Sequence, residues 1–112
     1  MKDEQIKDKV NELQLIEQNL SNFMSQKQQF QGQLMETENA LVELSNSKGT
    51  AYKIIGNVMI ASDKDSLKKD LEDKQEKLNL RIKNIEKQEE RMQSHAKELQ
   101  NEVMGTLKKK ND

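Results

Sequence analysis

Cysteine, proline and tryptophan are absent from this chain of 112 residues, and one tyrosine and two phenylalanines are its only aromatics. Without cysteine there is no disulfide framework, no thiolate nucleophile and no thiolate metal site. Without proline, nothing in the chain forces a helix to break. No run approaches the ~20 apolar residues of a membrane-spanning helix. The opening Met1-Lys2-Asp3-Glu4-Gln5 is too polar for a secretory signal, so the cytoplasm is the expected location. Neither sign of charge is in excess: 19 basic and 20 acidic residues, well mixed, leave a formal net charge of −1. That balance gives no general pull toward nucleic acid or an anionic membrane. Apolar residues make up 32% and charged residues 35%, which is too little apolar material for a conventional globular core.

What is plentiful is Glu, Lys, Gln and Leu, the composition of long uninterrupted helix. So polar a chain could instead be disordered, but its periodicity argues against that. With Ile6 at position a of a seven-residue frame, the a series is Ile6, Leu13, Leu20, Lys27, Leu34 and Leu41, and the d series is Lys9, Ile16, Phe23, Phe30, Thr37 and Leu44. Nine of these twelve positions are apolar, which is a coiled-coil seam sustained over six heptads. The spacing predicts a helix over 3–46, roughly 65 Å long. It should stop at Ser45-Asn46-Ser47-Lys48-Gly49, a small polar run closed by glycine. Gly32 falls on the outer face, where it costs ~1 kcal/mol of helix propensity without touching the seam.

A second helix is predicted over 64–109. Ser62-Asp63-Lys64-Asp65 supplies capping oxygens and places acid near the positive helix end. Its seam is Leu71, Leu78, Ile85, Met92, Leu99 and Thr106 in one series, with Gln75, Ile82, Glu89, Ala96 and Val103 in the other. Eight of these eleven sites are apolar.

Between the helices, Ala51-Tyr52-Lys53-Ile54-Ile55-Gly56-Asn57-Val58-Met59-Ile60-Ala61 lacks helical spacing and is rich in β-branched residues. It reads as a β-hairpin over 51–61 with a two-residue turn at Gly56-Asn57. Glycine in the first turn position suits type II′, which needs a positive φ there. The register then sets Ile55 against Val58, Ile54 against Met59, Lys53 against Ile60 and Tyr52 against Ala61. Tyr52, Ile54, Met59 and Ala61 share one face, and Lys53, Ile55, Val58 and Ile60 the other. A lone hairpin, apolar on both faces and open at both edges, is marginal in water and needs a cover from other chains. Copies of itself or of a sister chain pairing edge to edge into a barrel-like base would provide one.

Reversal at the hairpin makes the helices antiparallel, with seam partners whose numbers total about 112. Leu41 then meets Leu71, Leu34 meets Leu78, Phe30 meets Ile82, Leu20 meets Met92 and Leu13 meets Leu99. Lys27 and Glu89 come within about a turn of each other, a polar pair that serves register more than stability.

Nothing here reads as an active site. His95, the only histidine, is a helix-surface side chain beside the seam. The carboxylates have lysine or arginine three or four residues away, the ordinary pattern of a solvated helix face. There is no phosphate-cradling loop, no metal-ligand spacing and no cofactor motif, so an enzyme is not expected. Lys108-Lys109-Lys110 reads as a solvated terminus. Apart from the hairpin, the remaining candidate surface lies where 1–20 and 95–112 meet. Ile6, Val10, Leu13, Leu15 and Ile16, with Val103, Met104 and Leu107, are more apolar residues than one seam requires, and Val10, Leu15 and Met104 lie off it. They form either a frayed coiled-coil end or a surface that grips apolar segments of another protein, a task that suits flexible methionine.

Helix, a single Tyr52-Lys53-x-x-Gly56-Asn57 hairpin and helix, together with Leu78-Asn79-Leu80-Arg81-Ile82-Lys83-Asn84-Ile85-Glu86-Lys87-Gln88-Glu89-Glu90-Arg91, closely resemble the β-type subunits of archaeal prefoldin. The single hairpin is what points to the β type. The resemblance covers nearly the whole chain, is specific from Tyr52 to Arg91, and implies one prefoldin-like domain over 1–112. It implies a mainly α fold, a long antiparallel two-helix coiled coil whose hairpin forms part of an intersubunit β-barrel platform. It further implies a hetero-hexamer of two α-type and four β-type subunits. Such a complex holds unfolded client proteins at the coiled-coil tips and passes them to a group II chaperonin, without ATP hydrolysis or cofactor. Tyr52, Ile54, Ile55, Gly56, Asn57, Val58, Met59 and Ile60 would belong to the platform. Ile6, Val10, Leu13, Ile16, Val103, Met104 and Leu107 would grip clients. The competing expectation is a structural coiled-coil spacer or tether that oligomerises through its hairpin.

Overall fold

The computed structural model describes residues 3–111, with side chains up to Lys108. The first two residues of the polar amino terminus, and Lys109 and Lys110 of the basic run, therefore lie outside the described side chains. Helix α1 runs Asp3–Asn46, strand β1 Ala51–Ile55, strand β2 Val58–Ser62 and helix α2 Lys64–Asn111. At ~1.5 Å per residue the helices are about 66 and 72 Å long.

Helix α1 occupies the span its spacing predicts. Past Asn46 come Ser47, Lys48 and Gly49, and the Ser47 carbonyl accepts a hydrogen bond from the Lys64 ammonium at the start of α2. Helix α2 begins after Asp63, whose carbonyl accepts from the Leu67 amide at 3.0 Å. The Ser66 hydroxyl meets the Asp63 carboxylate at 3.4 Å, and Asp65 stands in the first turn, where the helix dipole favours a negative charge. The helix continues to Asn111, two residues beyond its predicted end, with Gly105 inside it rather than capping it.

The hairpin has the expected register, extended by one pair, Ala51 with Ser62. Gly56 has φ of 61°, and among the described residues no other has a positive φ. A type I′ turn would require one at Asn57 as well, so the pattern is that of type II′.

Packing falls into two compact units, one of Gln28–Lys83 and one of Met1–Lys27 with Asn84–Asp112. In the hairpin-bearing unit, Leu78 and Ile82 are buried together with Thr37. The Thr37 hydroxyl donates to the Gln33 carbonyl one turn back, at 2.8 Å, so a polar side chain sits in the seam with its hydrogen bond satisfied. Arg81 lies over the Phe30 ring, 5.6 Å from its centroid, within cation–π range. In the unit that carries the chain ends, Ile16, Ile85, Leu99 and Val103 form the buried core with Glu89.

All twelve seam positions of α1 and all eleven of α2 are buried or half-buried. Arg81 on Phe30 and Lys9 with Glu102 are cross-helix contacts whose residue numbers total 111, beside the expected 112. Such pairs require antiparallel helices.

Candidate interaction surfaces

A β-strand sends alternate side chains to opposite faces, so an apolar residue at every position leaves no polar face to meet water. The hairpin comes close to this composition, with Lys53 and Ser62 the polar positions in its two strands. Tyr52, Ile54 and Met59 lie on one face and Ile55, Val58 and Ile60 on the other, and all six are exposed, Ile54 to 69%. Lys53 approaches Asp70 at 3.9 Å, an exposed ion pair of little energetic weight. Both edges of the two-stranded sheet are unpaired. Gly56 and Asn57 form the turn and set the register that brings the six side chains together. The structure thus assembles every residue of the hairpin candidate site on one small sheet, uncovered by its own chain.

The second candidate surface is built by α1 and α2 near the chain ends. Sequence placed seven residues there, and the structure separates them. Val10, Met104 and Leu107 are exposed, Met104 to 69%, while Ile6 and Leu13 are half-buried. Ile16 and Val103 are buried at 6% and 8%. They occupy seam positions whose side chains point at the opposing helix, so they support the surface from beneath rather than line it.

Polar groups in this unit are tied across the helix pair. Lys27 donates to Glu89 at 2.7 Å, the pairing anticipated from the register. Glu89 is buried and Lys27 half-buried, so the contact completes the seam where two polar residues interrupt it. The hydrogen bond to Glu89 is the main reason the Lys27 ammonium is held above its ordinary pKa of 10.5; burial opposes the shift, and the charges of Glu89 and Glu86 add to it. Lys9 pairs with Glu102, and His95 Nε2 lies 2.8 Å from Glu12 Oε1. His95 is half exposed, a helix-surface side chain as expected, but with a carboxylate partner that only the helix pairing reveals. Among the described residues no group of His, Asp and Glu is arranged to hold a metal ion.

Leu15, which the sequence places off the seam near the chain ends, is exposed, as are Met24, Met35, Val42 and Leu80, which it did not single out. The available signal was an apolar residue outside both seam series.

A family model described as "Prefoldin subunit" matches residues 7–110. The chain belongs to the prefoldin family. The prefoldin subunit beta of Methanothrix thermoacetophila is 34% identical over 105 residues, covering 92% of this chain and 88% of that one. That of Archaeoglobus fulgidus is 31% identical over 105 residues, covering 92% and 90%. The crystal structure of the prefoldin beta subunit from Thermococcus strain KS-1 is similar with a TM-score of 0.86 and 28% identity, covering 92% of each chain. Prefoldin subunits are non-enzymatic chaperones, which accords with a molecule whose distinctive features are apolar contact surfaces. The hairpin and paired helices match the architecture of the solved prefoldin beta subunit.

Proposed function

We propose that this chain is the β-type subunit of a hetero-hexameric prefoldin, assembled through its hairpin with an α-type subunit and further copies of itself. As part of that complex it holds unfolded client proteins and delivers them to a group II chaperonin, without hydrolysing ATP. Membership of a chaperone family supports the activity. The observation that carries the assembly is the hairpin, six large apolar side chains exposed on both faces of a sheet with two open edges. Only pairing with further strands would satisfy those edges and shield both faces.

On this reading Tyr52, Ile54, Ile55, Val58, Met59 and Ile60 form the platform, turned by Gly56 and Asn57. Val10, Met104 and Leu107 grip the client directly, flanked by Ile6 and Leu13 and backed by Ile16 and Val103. The family match over 7–110 supports treating the whole chain as one functional domain. No helix among the described residues is long and apolar enough to cross a membrane, and the proposed site of action is the cytoplasm.

The test is aggregation of a denatured client followed by light scattering. Adding the complex of this chain with its co-expressed sister subunit is expected to suppress scattering, and removing 1–10 and 101–112 to abolish suppression while the oligomer persists. Equal protection by the truncated complex would take the grip away from the chain ends. A stable complex that never protects would make the chain a spacer instead.

A further inference from the structure

The two flanks of the helix pair near the chain ends differ in chemistry. In the seven-residue frame, the position immediately outside the seam on one side is held by Asp3, Val10, Glu17 and Met24 of α1 and by Glu86, Gln93, Gln100 and Leu107 of α2. Met104 lies next outward on the same side. Val10, Met24, Met104 and Leu107 are all exposed, and they are four of the five large apolar side chains exposed among the described residues of this unit. Only Leu15 lies toward the other flank. That flank is braced by polar contacts instead: Glu12 meets His95 and Lys9 reaches Glu102 across the helices.

We infer that the client is held along one flank of the helix pair, the one carrying Val10, Met24, Met104 and Leu107, and that its grip extends inward from the chain ends to Met24. This rests on the holdase reading above and adds where on the coiled coil the client lies and what kind of segment fits. From Val10 to Met24 the flank is about 21 Å long, the length of some six residues of extended chain.

The occupant is an extended apolar stretch of unfolded polypeptide. Between the apolar side chains stand Gln93 and Gln100, with Gln14 beside them on α1. An amide side chain both donates and accepts hydrogen bonds, so this row can meet the unpaired N–H and C=O groups of an unfolded backbone whatever its sequence. A docking helix fits less well, because it needs an apolar contact in every heptad. Here Val10 and Met24 are two heptads apart with Glu17 between them. Methionine at two of the four apolar positions suits variable clients, since its unbranched side chain adapts to many shapes.

The test places a photo-crosslinking amino acid singly at Val10, Met24, Leu15 or Asn22 in the assembled complex and illuminates it with guanidinium-denatured citrate synthase as client. Leu15 and Asn22 sample the opposite flank at the same depth, and circular dichroism checks that each variant stays helical. The inference expects adducts at 10 and 24 severalfold stronger than at 15 and 22. Met24→Glu should also raise the complex needed for half-suppression of aggregation about tenfold, the effect of losing one well-buried apolar contact. Adducts of equal strength on both flanks, or absent from 24 while aggregation is still suppressed, would overturn the flank assignment and leave the holdase intact. Absence of both adducts and suppression would overturn the two together.

Discussion

Val58 and Val103 are the same residue in opposite circumstances: Val58 in the hairpin is 58% exposed, whereas Val103 in the seam is 8% exposed. The contrast holds for the regions around them. Each seam position faces the other helix of the same chain, and the repeat lets each helix cover the other at every turn. The hairpin has only two strands and an apolar residue on each face at nearly every step. The seam therefore completes itself, while the hairpin leaves its apolar faces uncovered by its own chain. One sequence thus carries two kinds of hydrophobic surface, and the residue types alone do not distinguish them.

Substitutions can break this contrast, beginning with the largest expected effect. Ile54→Asp with Val58→Asp places a carboxylate on each face of the hairpin. If other strands cover those faces, each buried unpaired charge costs several kcal/mol, so the assembly should fall apart into smaller species by light scattering while circular dichroism retains most of the helix. An intact oligomer in this double variant would mean that the hairpin is not the assembly surface.

Leu78→Ala should do the reverse. Leu78 is 3% exposed in the seam, and its truncation should cost about 2–4 kcal/mol. Helical melting should drop by several degrees while subunits that remain folded still assemble. Loss of assembly without loss of Tm would erase the distinction between the two regions.

The polar step in the seam sharpens the comparison further. Because the Lys27 pKa is raised in the folded chain, the Lys27–Glu89 pair contributes its full stability below the ordinary lysine value of 10.5 and loses it as pH rises through the higher folded value. Helical melting measured from neutral pH to well above 10.5 should fall more steeply for the unsubstituted chain than for Glu89→Gln. Parallel pH profiles would show that the pair contributes nothing. The smallest expected effect is Gly32→Ala on the outer face of α1, where an added Cβ would have nothing within 4 Å. It should raise stability by about 1 kcal/mol and leave both assembly and client protection unchanged.

Much of this architecture was legible because long-range order here reduces to a short-range repeat. The α1 boundaries and every seam position could be read from residues seven apart, and the hairpin register followed once Gly56-Asn57 was taken as the turn. The end of α2 was less legible, since the seam series closes at Thr106 while the helix continues to Asn111. Ile16 and Val103 show a second boundary. Sequence marked the chain ends as rich in apolar residues, but which of them remain available depends on what the opposing helix covers. Met24 was not singled out because one apolar residue outside the seam is a weak signal by itself, and it aligns with Val10 only when the flank is traced over two heptads. The partners of His95 and Lys9 were hidden for the same reason: Glu12 and Glu102 lie 83 and 93 residues away from them in the chain.

The sequence by itself determined that the chain forms two long helices about a hairpin, because heptad periodicity, the absence of proline and a glycine at a positive-φ turn are local conditions that each residue meets with its neighbours. Only the tertiary structure decided which apolar side chains are used up within the chain and which are left exposed, and which charges meet across the helices. Exposure and pairing belong to surfaces, and those surfaces exist only once residues far apart in the chain have been brought side by side.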